Sequence, residues 1–248
     1  MNPGTTSPEQ DPAAASASPD AAEPSATRAR RSPSWLVLLG VALVVMMLVR
    51  AFVVQSFYVP SGSMEPTILP GDRILVDKLV SGDALRRGDV VVFDGTTTFA
   101  AADRTPHQAG GVVGRVLGGA ASALGVNLGE QDFVKRIIGM PGDHVVCCDR
   151  QGRLTVNGTP VQEPYVMPGD KPSELTFDIV VPQGRLWVMG DHRSDSADSR
   201  AHLGDPGGGT VRVTDVVGRA AVTYWPLARI GGFDTPTLLA DLPRAATP

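Results

Sequence analysis

The chain has 248 residues, a formal net charge of -4 and 5% aromatic residues. Its length allows one large domain or two small ones. The near-neutral balance, with no basic tract beyond a short arginine cluster, excludes nucleic acid as an expected partner. With so few aromatics, the core must be built from Val, Ile, Leu and Ala.

Residues 1–33 are Pro, Ala, Ser, Asp and Glu with almost no large apolar side chain. Such a segment cannot bury enough surface to offset its ordering entropy, so a disordered tail is expected. Arg28, Arg30 and Arg31 close it. The run WLVLLGVALVVMMLV, Trp35 to Val49, follows. Alone it spans ~22 Å, short of a ~30 Å hydrocarbon core; continued to Phe57 it reaches ~34 Å. A transmembrane helix over 34–57 is therefore predicted, with Arg50 snorkelling or lying in the outer interface. A cleavable signal peptide is the alternative, but no good small-residue cleavage site follows the run. The arginines on its N-terminal side place the N-terminus in the cytoplasm and the rest outside, in a single pass. Five residues separate Phe57 from Ser63. Even extended they reach less than ~20 Å, so Ser63 is expected near the outer membrane–water interface.

The rest reads as short β-rich runs between Gly, Pro and Asp: 74–80, 89–93, 133–138, 144–148, 154–156, 158–161, 176–181, 185–189, 210–213 and 216–224. Asn157-Gly158 is a strong hairpin-turn signal. Many short strands and no long amphipathic helix predict a mainly β, antiparallel, coiled-sheet or barrel-like domain over 58–230. Residues 95–131 form a Gly-, Ala- and Thr-rich insertion. Val113, Val116, Leu117, Ala120 and Leu124 fall at helical spacing there, and a mobile loop is the competing reading. Residues 231–248 are expected to fray. Cys147 and Cys148 are adjacent, which is no zinc signature. Two thiols on opposite faces of a strand are the first expectation, and a strained vicinal disulfide the second.

The stretch Pro60-Ser61-Gly62-Ser63-Met64-Glu65-Pro66 sets two serines in a Pro/Gly-punctuated loop. A serine hydroxyl is a poor nucleophile until a base stands beside it. The histidines are His107, His144, His192 and His202, and no G-x-S-x-G elbow surrounds Ser63. The lysines are Lys78, Lys135 and Lys171. Lysine becomes a base once burial lowers its pKa, whereas arginine does not deprotonate in proteins. Lys171, in Pro-Gly-Asp-Lys-Pro, belongs on an exposed loop. Lys135 alternates with Phe133 and Ile137, and Lys78 with Ile74 and Val76, so periodicity alone does not choose between them. The run Gly190 to Arg200 is rich in Asp and Ser, but its Asp spacing does not match a calcium loop.

Four ordered blocks, Pro60–Asp72, Gly71–Lys78, Phe133–Asp143 and Gly190–Arg200, together resemble the bacterial type I signal peptidases. The resemblance spans roughly residues 50–200, apart from the insertion. It implies a mostly antiparallel β catalytic domain with a smaller β subdomain inserted in it, preceded by one transmembrane helix. By the same resemblance Ser63 is the nucleophile and Lys135 the general base, with Lys78 structural. The Ser61 hydroxyl and the Ser63 backbone N–H would form the oxyanion hole. Ser196 would bond the lysine amine, and Asp198 and Arg200 would buttress the site as an ion pair. Phe57, Val59, Pro60, Met64, Ile68, Ile74, Asp132, Phe133 and Val134 match the walls of shallow substrate pockets. His192 stands where the family more often has asparagine. The implied protein is a membrane-anchored serine endopeptidase that removes signal peptides from exported preproteins at Ala-x-Ala sites, without cofactor or metal. Its implied partners are preprotein signal peptides and the lipid bilayer, as a monomer near the secretion machinery. Two rivals are a cytosolic self-cleaving repressor with the same dyad, against which the anchor argues, and a non-enzymatic peptide-binding β domain.

Overall fold

Short alternating runs of Val, Ile and Leu, each closed by Gly, Pro or Asp, become strands because each can bury one or both faces and then turn. The computed structural model describes residues 35–80, 82–96, 98–99, 132–233, 239 and 241–242. They belong to two compact units, 1–41 and 42–248, each taken by itself. The expected tail over 1–33 and nearly all of the 95–131 insertion, with its helical spacing, lie outside the described residues.

Helix α1 runs Trp35–Phe52, and Trp35–Val41 is the described part of the first unit. Every described side chain from Trp35 to Val49 is exposed. Among the described residues no helix is long and apolar enough to cross a membrane. The helix expected to reach Phe57 stops at Phe52, because the next residues find partners in a sheet. Strand β1 (Val54–Tyr58) pairs antiparallel with β2 (Arg73–Asp77), setting Phe57 opposite Ile74. The ladder satisfies the backbone of Val54–Tyr58, Phe57 is buried, and Ser56 Oγ lies 2.7 Å from Tyr224 Oη.

The larger sheet also holds β3 (Val90–Asp94), β4 (Asp132–Gly139), β9 (Arg185–Met189), β10 (Val211–Arg212), β11 (Val216–Trp225) and β12 (Gly231–Gly232). Its order is β1-β2-β11-β3-β4-β9-β10, with β12 on β11, and every pairing is antiparallel. The four remaining strands, β5 (His144–Cys147), β6 (Thr155–Val156), β7 (Thr159–Pro160) and β8 (Phe177–Val180), form a second sheet ordered β7-β6-β5-β8. They fall between β4 and β9 in the chain, so the smaller sheet is an insertion into the larger one. The Asn157-Gly158 signal is a two-residue hairpin turn with both φ angles positive, 52° and 76°.

Both faces of the central strands are buried. Val90 and Val92 pack with Phe57, Met64, Ile68 and Ile74, while Val91 and Phe93 pack with Ile137, Leu186 and Val188. A third cluster, around Trp187, joins Ile138 and Met189 to the smaller sheet. Two expectations need correcting here. Cys147 and Cys148 are joined in a disulfide rather than standing on opposite strand faces; β5 ends at Cys147, so no strand continues to hold them apart. Nor do the described residues beyond 230 simply fray. Gly231–Gly232 pairs with β11, Leu239 is fully buried in the third cluster, and Arg87 Nη1 donates to the Leu242 carbonyl at 2.9 Å. Leucine burial and a backbone hydrogen bond outweigh the Pro-rich composition of that stretch.

Candidate active site

Ser63 sits in a loop fastened at its neck and floor. The neck is closed by Val59 N–H to the Asp72 carbonyl (2.9 Å) and Gly71 N–H to the Val59 carbonyl (2.8 Å). Asp72 also accepts from Leu69 N–H at 2.9 Å and from Arg229 Nη2 at 2.9 Å. Met64 and Ile68 anchor the floor in the core. Ser63, between an exposed Ser61 and a buried Met64, is left half-buried.

Strand β4 carries Lys135 to this loop. It lies opposite Val91, between Phe133 and Ile137 in the alternation, and is 3% exposed. Its Nζ is 2.6 Å from Ser63 Oγ and donates to the Val134 carbonyl at 3.0 Å. Burial lowers the amine pKa from 10.5 to about 8, against the opposing pull of the Asp198 and Asp191 carboxylates. The apolar alternation of the sequence therefore has the desolvating effect expected of it. Lys78 is half-buried at the end of β2, with its N–H on the Val53 carbonyl at 2.9 Å. Lys171 is exposed beside Glu174.

The run after β9 packs beneath. Asp198 accepts from Arg200 Nε (2.8 Å) and Nη2 (2.7 Å), and from Gly190 N–H (2.9 Å). Burial pushes the Asp198 carboxyl up, but the Arg200 guanidinium and these N–H donors outweigh it and hold the group below its ordinary value. Ser196 departs from expectation. Its buried Oγ has no hydrogen-bond partner among the described residues, and the Lys135 amine bonds Ser63 and the Val134 carbonyl instead. Gly190 must stay glycine, because a Cβ there would collide with Ser196 Oγ and with the Ser63 carbonyl oxygen.

The first oxyanion candidate, Ser61 Oγ, lies 3.5 Å from Ser63 Oγ and is exposed. Of the nine residues expected to line substrate pockets, Phe57, Val59, Met64, Ile68 and Ile74 are core, each under 8% exposed. Side chains this buried offer almost no surface of their own for contact. Pro60 is exposed, Asp132, Phe133 and Val134 are half-buried, and these four retain surface for contact. Phe133 stacks on Phe93 with ring centres 5.9 Å apart. Burial, then the neighbouring Asp94, raises the Asp132 carboxyl pKa. A cavity of about 260 Å³ beside Thr67, Arg136, Tyr165 and Arg229 reaches neither Ser63 nor Lys135.

Of the buried ion pairs that sequence reasoning passed over, Arg136–Asp191 adjoins the site. Arg136, next to Lys135 but alternating to the other side of β4, donates to both Asp191 oxygens (2.8 and 2.6 Å) and to the Gly88 carbonyl (2.8 Å). Thr67, in the Ser63 loop, donates to Asp191 at 2.5 Å, and the Arg136 guanidinium lies 4.2 Å over the Tyr165 ring. The available signal was an arginine inside a buried strand, which requires a carboxylate partner. Of the histidines, His144 pairs with Asp178 and His202 with Asp205, while His107 lies outside the described residues. Among the described residues no group of three or more His, Cys, Asp or Glu could hold a metal ion.

A serine hydroxyl held against a desolvated amine is the arrangement that an activated serine nucleophile needs. Residues 32–225 match the family model described as "Signal peptidase, peptidase S26". A probable signal peptidase I of Mycobacterium leprae is 39% identical over 235 residues, covering 82% of this chain and 80% of its own. A signal peptidase I of Mycobacterium tuberculosis is 37% identical over 230 residues, covering 84% and 78%. One from Bacillus licheniformis is 34% identical over 180 residues, covering 68% and 78%. The chain belongs to the signal peptidase family, peptidase S26.

Proposed function

We propose that this peptidase is a membrane-anchored serine endopeptidase that cuts N-terminal signal peptides from exported preproteins after Ala-x-Ala sites. The observation that carries the reading is the 2.6 Å approach of a 3% exposed lysine amine to Ser63 Oγ. Neutral Lys135 takes the Ser63 proton while Oγ attacks the scissile carbonyl carbon. The tetrahedral oxyanion is met by the Ser61 hydroxyl and the Ser63 N–H, donors of a kind each worth ~3–4 kcal/mol of barrier. The C–N bond breaks, the Lys135 ammonium gives its proton to the departing amine of the mature chain, and the signal peptide remains as an ester on Ser63. Water, deprotonated by the same lysine, then releases it. An exposed Pro60 and half-buried Asp132, Phe133 and Val134 over an apolar floor suit an extended segment with small alternate side chains.

The test is cleavage of a preprotein with an Ala-x-Ala site in detergent. Wild type is expected to cut after the second Ala, and Lys78→Ala to keep activity. Folded wild type that cuts no such substrate would promote the peptide-binding alternative. Because the reacting amine must be neutral and burial holds it at about 8 in the free enzyme, kcat/KM should rise with pH through a midpoint near 8. A profile flat from pH 6 to 10 would remove Lys135 as the base.

Anchoring rests on the exposed apolar side chains of α1 and on Arg28, Arg30 and Arg31 before it. Eighteen helical residues span ~27 Å, and a few ångströms of bilayer thinning would close the gap to ~30 Å. In this reading the N-terminus is cytoplasmic, the β unit faces outward and the chain crosses once. The full-length protein should stay in the membrane pellet after alkaline carbonate washing; recovery in the supernatant would sink the anchor.

A further inference from the structure

His192 touches the nucleophile loop twice. Its backbone N–H donates to the Ser63 carbonyl at 3.2 Å, and its ring Nδ1 lies 3.3 Å from the Gly62 carbonyl oxygen. A carbonyl oxygen only accepts, so this contact is a hydrogen bond when Nδ1 carries the proton. The Gly62 oxygen takes a second donor, the Glu65 N–H at 2.9 Å, which fills both its lone-pair directions.

The Gly62–Ser63 peptide is the one whose N–H the proposed mechanism points at the oxyanion. A trans peptide is planar, with its C=O and N–H directed oppositely, so fixing the carbonyl fixes the aim of the N–H. The plane needs fixing because Gly62 has no Cβ to restrict its backbone. Bonding the carbonyl also polarises the same peptide and strengthens its N–H as a donor. His192 itself is rigidly mounted. It follows Asp191, which is locked to Arg136 and Thr67, and precedes Arg193, whose guanidinium is paired with Glu163 and bonded to the Gly190 carbonyl at 2.9 Å.

We propose that His192 is a positioning residue for catalysis: through Nδ1–H it orients and polarises the Gly62–Ser63 peptide, so that the Ser63 N–H meets the developing oxyanion. The inference rests on the peptidase reading above. It assigns no proton transfer to the imidazole, and any side chain that donates to the same carbonyl should substitute.

The test is steady-state cleavage of the Ala-x-Ala preprotein by full-length wild type, His192→Ala, His192→Phe and His192→Asn. Because an oxyanion donor acts in the transition state, kcat should fall at least about tenfold in the Ala and Phe variants, with KM within about twofold. His192→Asn, whose amide can reach the carbonyl, should recover kcat to within about threefold of wild type. A merely structural role would lower thermal stability without this division between kcat and KM or this rescue. Full activity in His192→Phe, a loss confined to KM, or an Asn variant as slow as Ala would each overturn the proposal. An active wild type beside a fully active His192→Ala removes this inference alone, whereas an inactive wild type removes the peptidase reading and this inference with it.

Discussion

Lys135→Ala and Ser63→Ala should each cut preprotein cleavage by at least about a thousandfold while leaving the protein folded. Cleavage assays paired with circular dichroism check both halves of this expectation. Lys135→Arg should be as inactive as Ala, because a guanidinium stays protonated and cannot accept the Ser63 proton. The loss should appear as inactivity rather than unfolding, because the buried amine is a cost to the fold. The amine binds its proton with a pKa of 10.5 when unfolded and about 8 when folded. Between those values the unfolded chain holds more protons, so stability rises with pH from about 8 to about 10.5. Below that window the folded protein bears the whole cost of burying the charge, about 3 kcal/mol for a shift of this size. Lys135→Met, which keeps the volume and removes the charge, should therefore raise the thermal midpoint at pH 7 while abolishing cleavage. A Lys135→Met protein less stable than wild type at pH 7 would contradict this account.

Arg136→Ala should destabilise the folded protein by about 3–5 kcal/mol, the usual result of stranding one member of a buried ion pair. Asp191 is fully buried and would lose both guanidinium bonds, keeping only the Thr67 hydroxyl. The Gly88 carbonyl loses its Arg136 donor as well. Because Thr67 belongs to the Ser63 loop and Asp191 leads into His192, the damage should reach activity too. Urea unfolding of the full-length protein in detergent measures the loss. The double variant Arg136→Met with Asp191→Leu should cost much less than Arg136→Ala, since removing both charges leaves neither uncompensated. A single variant within about 1 kcal/mol of wild type would show that the pair is not shielded from water.

The site and the sheet were legible to different degrees. Strand alternation closely located ten of the twelve strands among the described residues, and Asn157-Gly158 located its turn, because both depend on neighbours in the chain. What misled was local pattern that distant partners override. Val54–Tyr58 read as the end of a membrane helix until β2 supplied its hydrogen-bond partners. The stretch 231–248 read as loose until β11 and the third core cluster took up Gly231, Gly232 and Leu239.

The proposed reacting pair shows the same division. Residue chemistry alone narrowed a lysine base to Lys78 or Lys135, since arginine stays charged and Lys171 lay in a loop, and it left a histidine base open. Alternation could not choose further, because both lysines share a strand face with apolar residues. Family resemblance named Lys135; the 2.6 Å separation from Ser63 and the loss of nearly all solvent around the amine came only with the packing of β4 against the Ser63 loop. The same holds for Ser196, whose expected bond to the lysine is not made, and for the hold of His192 on Gly62. Residue type and period fix which chemistry a chain can carry, because they are properties of neighbours. Desolvation and hydrogen-bond aim are properties of residues 72 and 130 positions apart, and only folding brings those together.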